Sequence, residues 1–395
     1  MNICFICCEY PPALHGGIGA VIRTLARALV QSGHNVRVIG VYPQSEDAPD
    51  YEEDRGVKVW RLRRPPQRLG WIIARYKLFM AVRTWAKNKE IDVVEAPDWE
   101  GYTALWPSLD VPVVVRLHGS AAYFAAEMAQ SVSSGVSWLE MRAFQGADEC
   151  SSCSSYTARR TSEIFNSRPK LTSVLYNCVA LSQATHEVAR EKNNVVFAGT
   201  LTRKKGIIQL VKAWPHVRAS NPQAQLHVYG KDARMDDGSP MVSYLESLLN
   251  GEVRDSVHFH GHVTVSQLRS LYQHCSLAVF PSYAEAFAVA PLEAMAEGCP
   301  VIYANRSSGP ELIQDGVNGL LVDPDDETQI AQSILRLLDD RSFAYQLGVA
   351  GRRAIEENFS VDRIVRQFVD FYAGCIQRFR HNGPSSRLHR GVAAS

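Results

Sequence analysis

The sequence predicts an α/β protein built from two doubly wound parallel-sheet domains. Apolar strand-like runs alternate with amphipathic helical stretches, first as NICFICC, AVIRTLARALVQSG and NVRVIGVY, then as a second series opened by NVVFAG. Such βαβ alternation, with Gly after a helix, is the mark of a parallel sheet. The second-series strands QLHVYG, VHFHG, LAVFPS and PVIYA are apolar almost throughout, as strands covered on both faces must be. At 395 residues the chain is also long for one core.

The first domain is expected over residues 1–177, with further strands at DVVEAP and VPVVVRLHG and around DECSSCS and LTSVLYN. The polar, weakly periodic run CVALSQATHEVAREKN reads as a linker over 178–193, and the second domain follows over 194–359. VDRIVRQFVDFYAGCIQRF reads as a helix at about 360–380 that packs back on the first domain. Residues 381–395 read as a flexible tail.

Composition narrows the class. Hydrophobic residues make up 46% and the formal net charge is +1, which fits a globular protein and excludes a disordered or collagen-like one. Without a basic bias, nothing points to nucleic acid. The N-terminal run lacks the pattern of a signal peptide, and no apolar segment reaches the ~18 residues that would span a bilayer. The nine cysteines lie mostly inside apolar runs, which fits reduced thiols of a cytoplasmic protein. Cys150 and Cys153 have half-zinc-site spacing, but no second pair follows, and they read as core residues.

Function is concentrated after the strands. GTLTRKKG, GKD, GHV, SYAEAFA and NRSSG each follow a strand of the second series. Ligands of open parallel sheets bind outside the carboxyl ends of the strands, so these loops outline one site. In EAFAVAPLE, Pro291 suits the first position of a helix, with Ala290 as N-cap. Alanine cannot cap, so the helix amides suit an anion such as phosphate. Glu293 then lies in the first turn and Glu285 in the loop, where they would touch different parts of one ligand. A sugar nucleotide has both the phosphate and the sugar hydroxyls. A solvated Glu285 and a dipole-compensating Glu293 are the other reading of the same spacing.

The run EAFAVAPLEAMAEGCPVIYANRSSGPELIQDGVNGLLVDPDD closely resembles the donor-site signature of retaining glycosyltransferases of family four. VVFAGTLTRKKG and the N-terminal loop EYPPALHGGIG lie in the order this family shows, and the resemblance covers residues 1–375. It implies the GT-B fold, two facing Rossmann-like domains with a cleft between them. It further implies that Glu293 binds ribose hydroxyls, that Glu285 holds the transferred sugar, and that Ala286, Phe287, Ala288, Val289 and Ala290 present amides to sugar and diphosphate. Lys205 becomes the cation on the donor phosphates, in the loop opened by Gly199. The family usually has arginine where Thr200 stands, and Arg203 is the substitute guanidinium. Ala286 and Ala288 replace two glycines. Gly16 and Gly17 would bring amides to the donor phosphate or the acceptor, although a tight turn explains them equally. His118, at the end of VVVRLHGS, would stand near the reacting carbon. The base would be read by backbone groups near Gly230 and Val263.

The resemblance thus implies transfer of a sugar from a nucleoside diphosphate sugar, with retention, the departing phosphate helping to deprotonate the acceptor hydroxyl. No DxD pair precedes the donor loop, so neither a metal nor any other cofactor is expected. The segment 55–89 has many Lys and Arg, no Asp or Glu, and interleaved aromatics. It reads either as a face toward an anionic membrane or acceptor, placing the protein at the inner membrane surface, or as a solvated helix with its aromatics in the core. Polysaccharide or glycolipid synthesis is the expected setting of the transfer. A nucleotide-sugar epimerase of the same fold and a non-catalytic nucleotide-sugar binding protein are the alternatives.

Overall fold

The structure is a computed structural model and describes residues 1–13, 16–167, 172–182 and 190–383. The chain divides into two compact units, one of Met1–Cys178 with Val361 onward, the other Val179–Ser360. The last helix is Val361–Asn382, so it runs into the stretch expected as tail. The remainder of that tail, and residues 183–189 of the expected linker, lie outside the described residues.

Among the described residues the first unit holds an eight-stranded sheet. Its strands are β1 Asn2–Ile6, β2 Asn35–Tyr42, β3 Tyr51–Asp54, β4 Val57–Arg63, β5 Val93–Pro97, β6 Val113–Leu117, β7 Glu149–Ser152 and β8 Thr172–Val174. They lie in the order β3-β4-β2-β1-β5-β6-β7-β8. All pairings are parallel except β3 with β4. The strand order reverses between β1 and β5. Helix Gly17–Gln31 buries Val21, Ile22, Leu25 and Leu29, the spacing of one helical face.

The hairpin corrects the reading of 55–89 as helix and loop. Its turn is Arg55-Gly56, both at positive φ, which matches the twist of two paired strands. The alternation V-K-V-W-R-L was the signal for β4, and the count of cations obscured it. Arg61 is 2% exposed, donates to Pro49, Tyr10 and Pro11 carbonyls, and pairs with Glu52 at 2.5 Å. It belongs to the interior rather than to a basic surface. Helix Gly70–Lys87 supplies the rest of the segment.

Helix Val361–Asn382 completes the core of the first unit from the far end of the sequence. Phe368, Tyr372 and Cys375 lie in one buried cluster with Ile3, Phe5 and Leu25. The Tyr372 hydroxyl donates to Glu95 Oε2 at 2.8 Å, and the Arg116 guanidinium lies 4.7 Å from the Phe368 ring. Burial pushes the Glu95 carboxyl up, against the opposing pull of Arg116 and the Tyr372 bond.

Among the described residues the second unit holds a six-stranded parallel sheet of β9 Asn194–Ala198, β10 Gln225–Tyr229, β11 Val257–Gly261, β12 Leu277–Phe280, β13 Val301–Ala304 and β14 Leu320–Val322. The order is β11-β10-β9-β12-β13-β14, so the reversal falls between β9 and β12. Helices Ile207–Ser220 and Glu327–Asp339 pack together against one face, with Trp214, Ile330 and Ile334 wholly buried. The Trp214 indole donates to Ser256 Oγ at 2.9 Å, so its one polar atom is satisfied inside the core.

Tyr372→Phe should leave Glu95 buried without its hydroxyl donor. We expect a loss of about 1–3 kcal/mol, seen as a lower urea midpoint with unchanged slope. An unchanged midpoint would mean that the helix is held by its apolar face alone.

Candidate active site

The second unit places its loops at the reversal of strand order, where open α/β sheets bind ligands. The loop after β9 and the loop after β12 meet there. Gly206 has φ +70°, and a Cβ on it would lie 1.8 Å from the Pro281 carbonyl oxygen. No other residue allows that approach. Tyr283 N then donates to Lys204 O at 2.8 Å, and Lys205 Nζ meets Glu285 Oε1 at 2.5 Å. The pair is largely sheltered, with side chains 26% and 10% exposed. Arg203 opens the same 3₁₀ turn, Arg203–Lys205, and is exposed.

Neighbouring loops are stitched to this pair. Gly199 N donates to Tyr229 O and Gly230 N to Gly261 O, which aligns the exits of β9, β10 and β11. A Cβ on Gly230 would meet Gly199 O at 1.9 Å, so this contact also requires glycine. Val263 stands half-buried just beyond β11. On the other side, Arg306 bridges Asp323 and Asp325 at 2.6 Å each, and Tyr283 donates to Asp325 at 2.6 Å. Sequence reasoning overlooked Tyr283, Arg306 and Asp325. The run of Tyr and Arg after strands was visible, but their common meeting point was not.

The helix after Glu285 begins earlier than expected. It spans Val289–Ala296 with Ala288 as N-cap and no side-chain cap. Pro291 therefore occupies the third helical position, where its missing N–H is still without cost, and Glu293 lies past the first turn. It cannot serve in a capping box or as a first-turn dipole partner. Glu293 is partly accessible, and burial pushes its carboxyl up to about 7, with Arg269 opposing and Glu297 adding to the rise. Ala286, Phe287 and Ala288 are buried, and the Phe287 ring packs 5.5 Å from that of Phe359.

In the first unit the corresponding reversal lies between β1 and β5. Gly16 is the N-cap of helix Gly17–Gln31. Its amide donates to Glu9 Oε2 at 3.1 Å, and Gly19 N donates to Glu9 Oε1 at 2.7 Å. The chain's own carboxylate thus takes two amides of the helix start, and Gly17 faces open space. His118 follows β6, is 8% exposed, and is held well below the usual imidazole range by burial and by Arg116. Its backbone N–H donates to Oδ1 of Asp98, a wholly buried carboxyl that burial pushes up to about 7. Glu9 and Asp98 were missed because EYPP and APDW resemble ordinary turns.

Two family models match the chain, Glycosyltransferase Family 4 over residues 15–183 and Glycosyl transferases group 1 over residues 181–354. The chain belongs to glycosyltransferase family 4. An uncharacterized glycosyltransferase of Methanocaldococcus jannaschii is 28% identical to it over 94% of this chain and 98% of its own length. Sucrose-phosphate synthase from Thermosynechococcus elongatus superposes with a TM-score of 0.79 at 22% identity, covering 95% of this glycosyltransferase and 99% of that structure. Anabaena HepE in complex with UDP-glucose gives 0.73 at 17% identity, covering 94% and 99%. The fold is therefore GT-B, each unit being a parallel-sheet α/β domain.

Cys150 and Cys153 of the glycosyltransferase are buried, as are most of its cysteines. Among the described residues no helix is long and apolar enough to cross a membrane.

Asp98 should leave a signature in the pH dependence of stability. Its folded-state pKa, about 7, lies above the ordinary carboxylate value, so its favourable contribution is full below about pH 4 and is lost as pH rises through 7. His118, held neutral, acts in the opposite sense, losing stability as pH falls below its ordinary value. Urea unfolding at pH 5 and pH 8 should show that Asp98→Asn gains relative to the parent as pH rises. A parallel pH response of the two proteins would show that Asp98 titrates as an ordinary carboxylate.

Proposed function

We propose that this glycosyltransferase moves a sugar from a nucleoside diphosphate sugar to an acceptor hydroxyl with retained configuration, the second unit holding the donor. The observation that carries the reading is the sheltered Lys205–Glu285 pair at the reversal of strand order, with Glu293 on the helix that follows. A cation beside a carboxylate suits a ligand in which phosphate and sugar hydroxyls adjoin. Lys205, with Arg203 from the same turn, faces the diphosphate; Glu285 takes hydroxyls of the transferred sugar; Glu293 takes those of the ribose. Amides from Ala286 to Ala290 line the diphosphate, the Gly199 backbone lies beside them, and Gly230 and Val263 border the base. On the first unit, Gly16, Gly17 and neutral His118 stand at that unit's own strand exits.

In the reaction the bond between the anomeric carbon and the β-phosphate oxygen breaks, and the acceptor oxygen bonds to the same face of that carbon. The acceptor proton passes to the departing phosphate oxygen. Charge grows on the diphosphate, and fixed cations and an uncapped helix start stabilise it without reorganising. The reading needs no metal. Because HepE holds UDP-glucose, a uridine diphosphate sugar is the first donor to try.

The acceptor side is supported by a surface on the first unit. Leu69, Trp71, Ile72, Ile73 and Tyr76 are 40–62% exposed at the start of helix Gly70–Lys87, beside exposed Arg64, Arg68 and Lys77. Apolar side chains flanked by cations suit an anionic membrane bearing a lipid-linked or sugar acceptor. Arg64→Ser, Arg68→Ser and Lys77→Ser together should release the protein from vesicles containing phosphatidylserine; undiminished binding of the triple variant would rule out the surface.

Incubation with UDP-glucose should release nucleotide only when an acceptor extract is present, whereas a new sugar isomer without acceptor would overturn the reading in favour of an epimerase. Lys205→Ala should lower turnover by roughly 10²- to 10³-fold. Glu293→Ala should weaken free UDP binding, and Glu285→Ala should mainly depress turnover. Undisturbed donor use in both would mean that the site lies elsewhere.

A further inference from the structure

A cavity of about 360 Å³ lies in the second unit, away from the loops described above. Its walls include Asn193, Ser276 and Pro300, which immediately precede β9, β12 and β13. It therefore opens at the amino ends of the same strands whose carboxyl ends lead to Lys205 and Glu285. Its size falls within the range of small-ligand sites.

The lining is rich in cations. Arg190, Lys192, Arg341 and Arg352 face two carboxylates, Glu191 and Glu297. Glu297 is buried, accepts from Ser182 and Gln273, and pairs with Arg269 at 3.8 Å. Arg352 pairs with Glu356 at 3.0 Å. Arg190 is held by carbonyls alone, donating to Tyr272 O, Cys275 O and Glu297 O, and Arg341 donates to Arg190 O. Among the described residues this leaves Arg190, Lys192 and Arg341 against Glu191, an excess of two positive charges. Leu337, Val349 and the ring of Tyr345, which is 58% exposed, add apolar surface, Tyr345 and Val349 lying along the same helix face as Arg341 and Arg352.

Cations interleaved with aromatic and aliphatic side chains suit a ligand in which a phosphate adjoins a ring. We propose that this cavity binds a small phosphorylated sugar as an effector, distinct from the donor. The route to the donor loop is the helix Val289–Ala296. Arg352 donates to Ala296 O and Arg190 to Glu297 O, at the carboxyl end of that helix, while its amino end follows Glu285 and its middle carries Glu293. An anion that engages Arg190 competes with those carbonyls and shifts the helix that presents Glu293. Only this coupling rests on the donor reading above; the binding itself does not.

Isothermal titration of the full chain with ribose 5-phosphate, ribose and inorganic phosphate tests both halves. Ribose 5-phosphate should bind one per chain, ribose should not bind, and phosphate should bind more weakly. Lys192→Glu with Arg341→Glu, both exposed positions, should weaken ribose 5-phosphate by about tenfold or more, while Lys205→Ala should leave it unchanged. Absence of binding, equal binding by the double variant, or loss in Lys205→Ala would overturn the site. Phosphate binding as tightly as the sugar phosphate would overturn the ligand class. Saturating ribose 5-phosphate should change UDP affinity by about fivefold in the parent and not in the double variant. An unchanged UDP affinity overturns the coupling, whereas failure of UDP to bind at all counts against the donor reading and leaves the cavity intact.

Discussion

The second unit depends on one close approach, the backbone of Gly206 against the carbonyl of Pro281. Any side chain at 206 would push the loop after β9 away from the loop after β12. The Tyr283–Lys204 backbone bond and the Lys205–Glu285 pair both form across that contact. Two loops separated by some eighty residues of sequence therefore behave as one surface. The same device recurs at Gly230 against Gly199, so glycine contacts fix two of the seams along the sheet's carboxyl edge. Side-chain chemistry is then mounted on a backbone that has little freedom to move it.

Electrostatics follow from that rigidity. Carboxyls placed in confined positions lose solvation, and their proton affinity rises unless a donor or cation compensates. Glu285 has Lys205 at 2.5 Å. Glu293 has no comparable partner among the described residues, only the more distant pull of Arg269, and burial dominates. Two glutamates that look equivalent in EAFAVAPLE thus differ in their surroundings: Glu285 meets a lysine, whereas burial pushes the Glu293 carboxyl up to about 7. The first unit repeats the contrast. Glu9 is satisfied by two helix amides, whereas Asp98 is wholly buried behind the His118 amide.

Much of this was legible in the sequence because parallel sheets leave strong local marks. Apolar strands, helices ended by glycine and polar loops after strands located both units and the edge that bears Lys205 and Glu285. The misreadings share a cause. At 55–63, charge composition hid a two-residue period, and Arg61 was taken for surface although its partners lie in residues 10, 11, 49 and 52. At 289–293, proline was given the first helical position although the third is equally free of cost. Glu9 and Asp98 went unnoticed because their significance lies in which amide each accepts from, and that is a property of the folded chain.

Ala286 and Ala288, where the family resemblance leads one to expect glycines, can be judged in the same terms. Glycine is required where φ is positive or where a backbone lies within reach of the missing Cβ. Ala288 has φ −67° and ψ 139°, an ordinary extended conformation, and Ala286 is not among the positive-φ residues. Their methyl groups therefore impose no backbone strain, in contrast to any side chain at 206 or 230. Both alanines are buried, so their effect is to fill space beside the helix start rather than to reshape it. The loop keeps its path, and the difference from a glycine loop lies in the room left above it. At 206, by contrast, any side chain would meet the Pro281 carbonyl and part the two loops on which Lys205 and Glu285 stand.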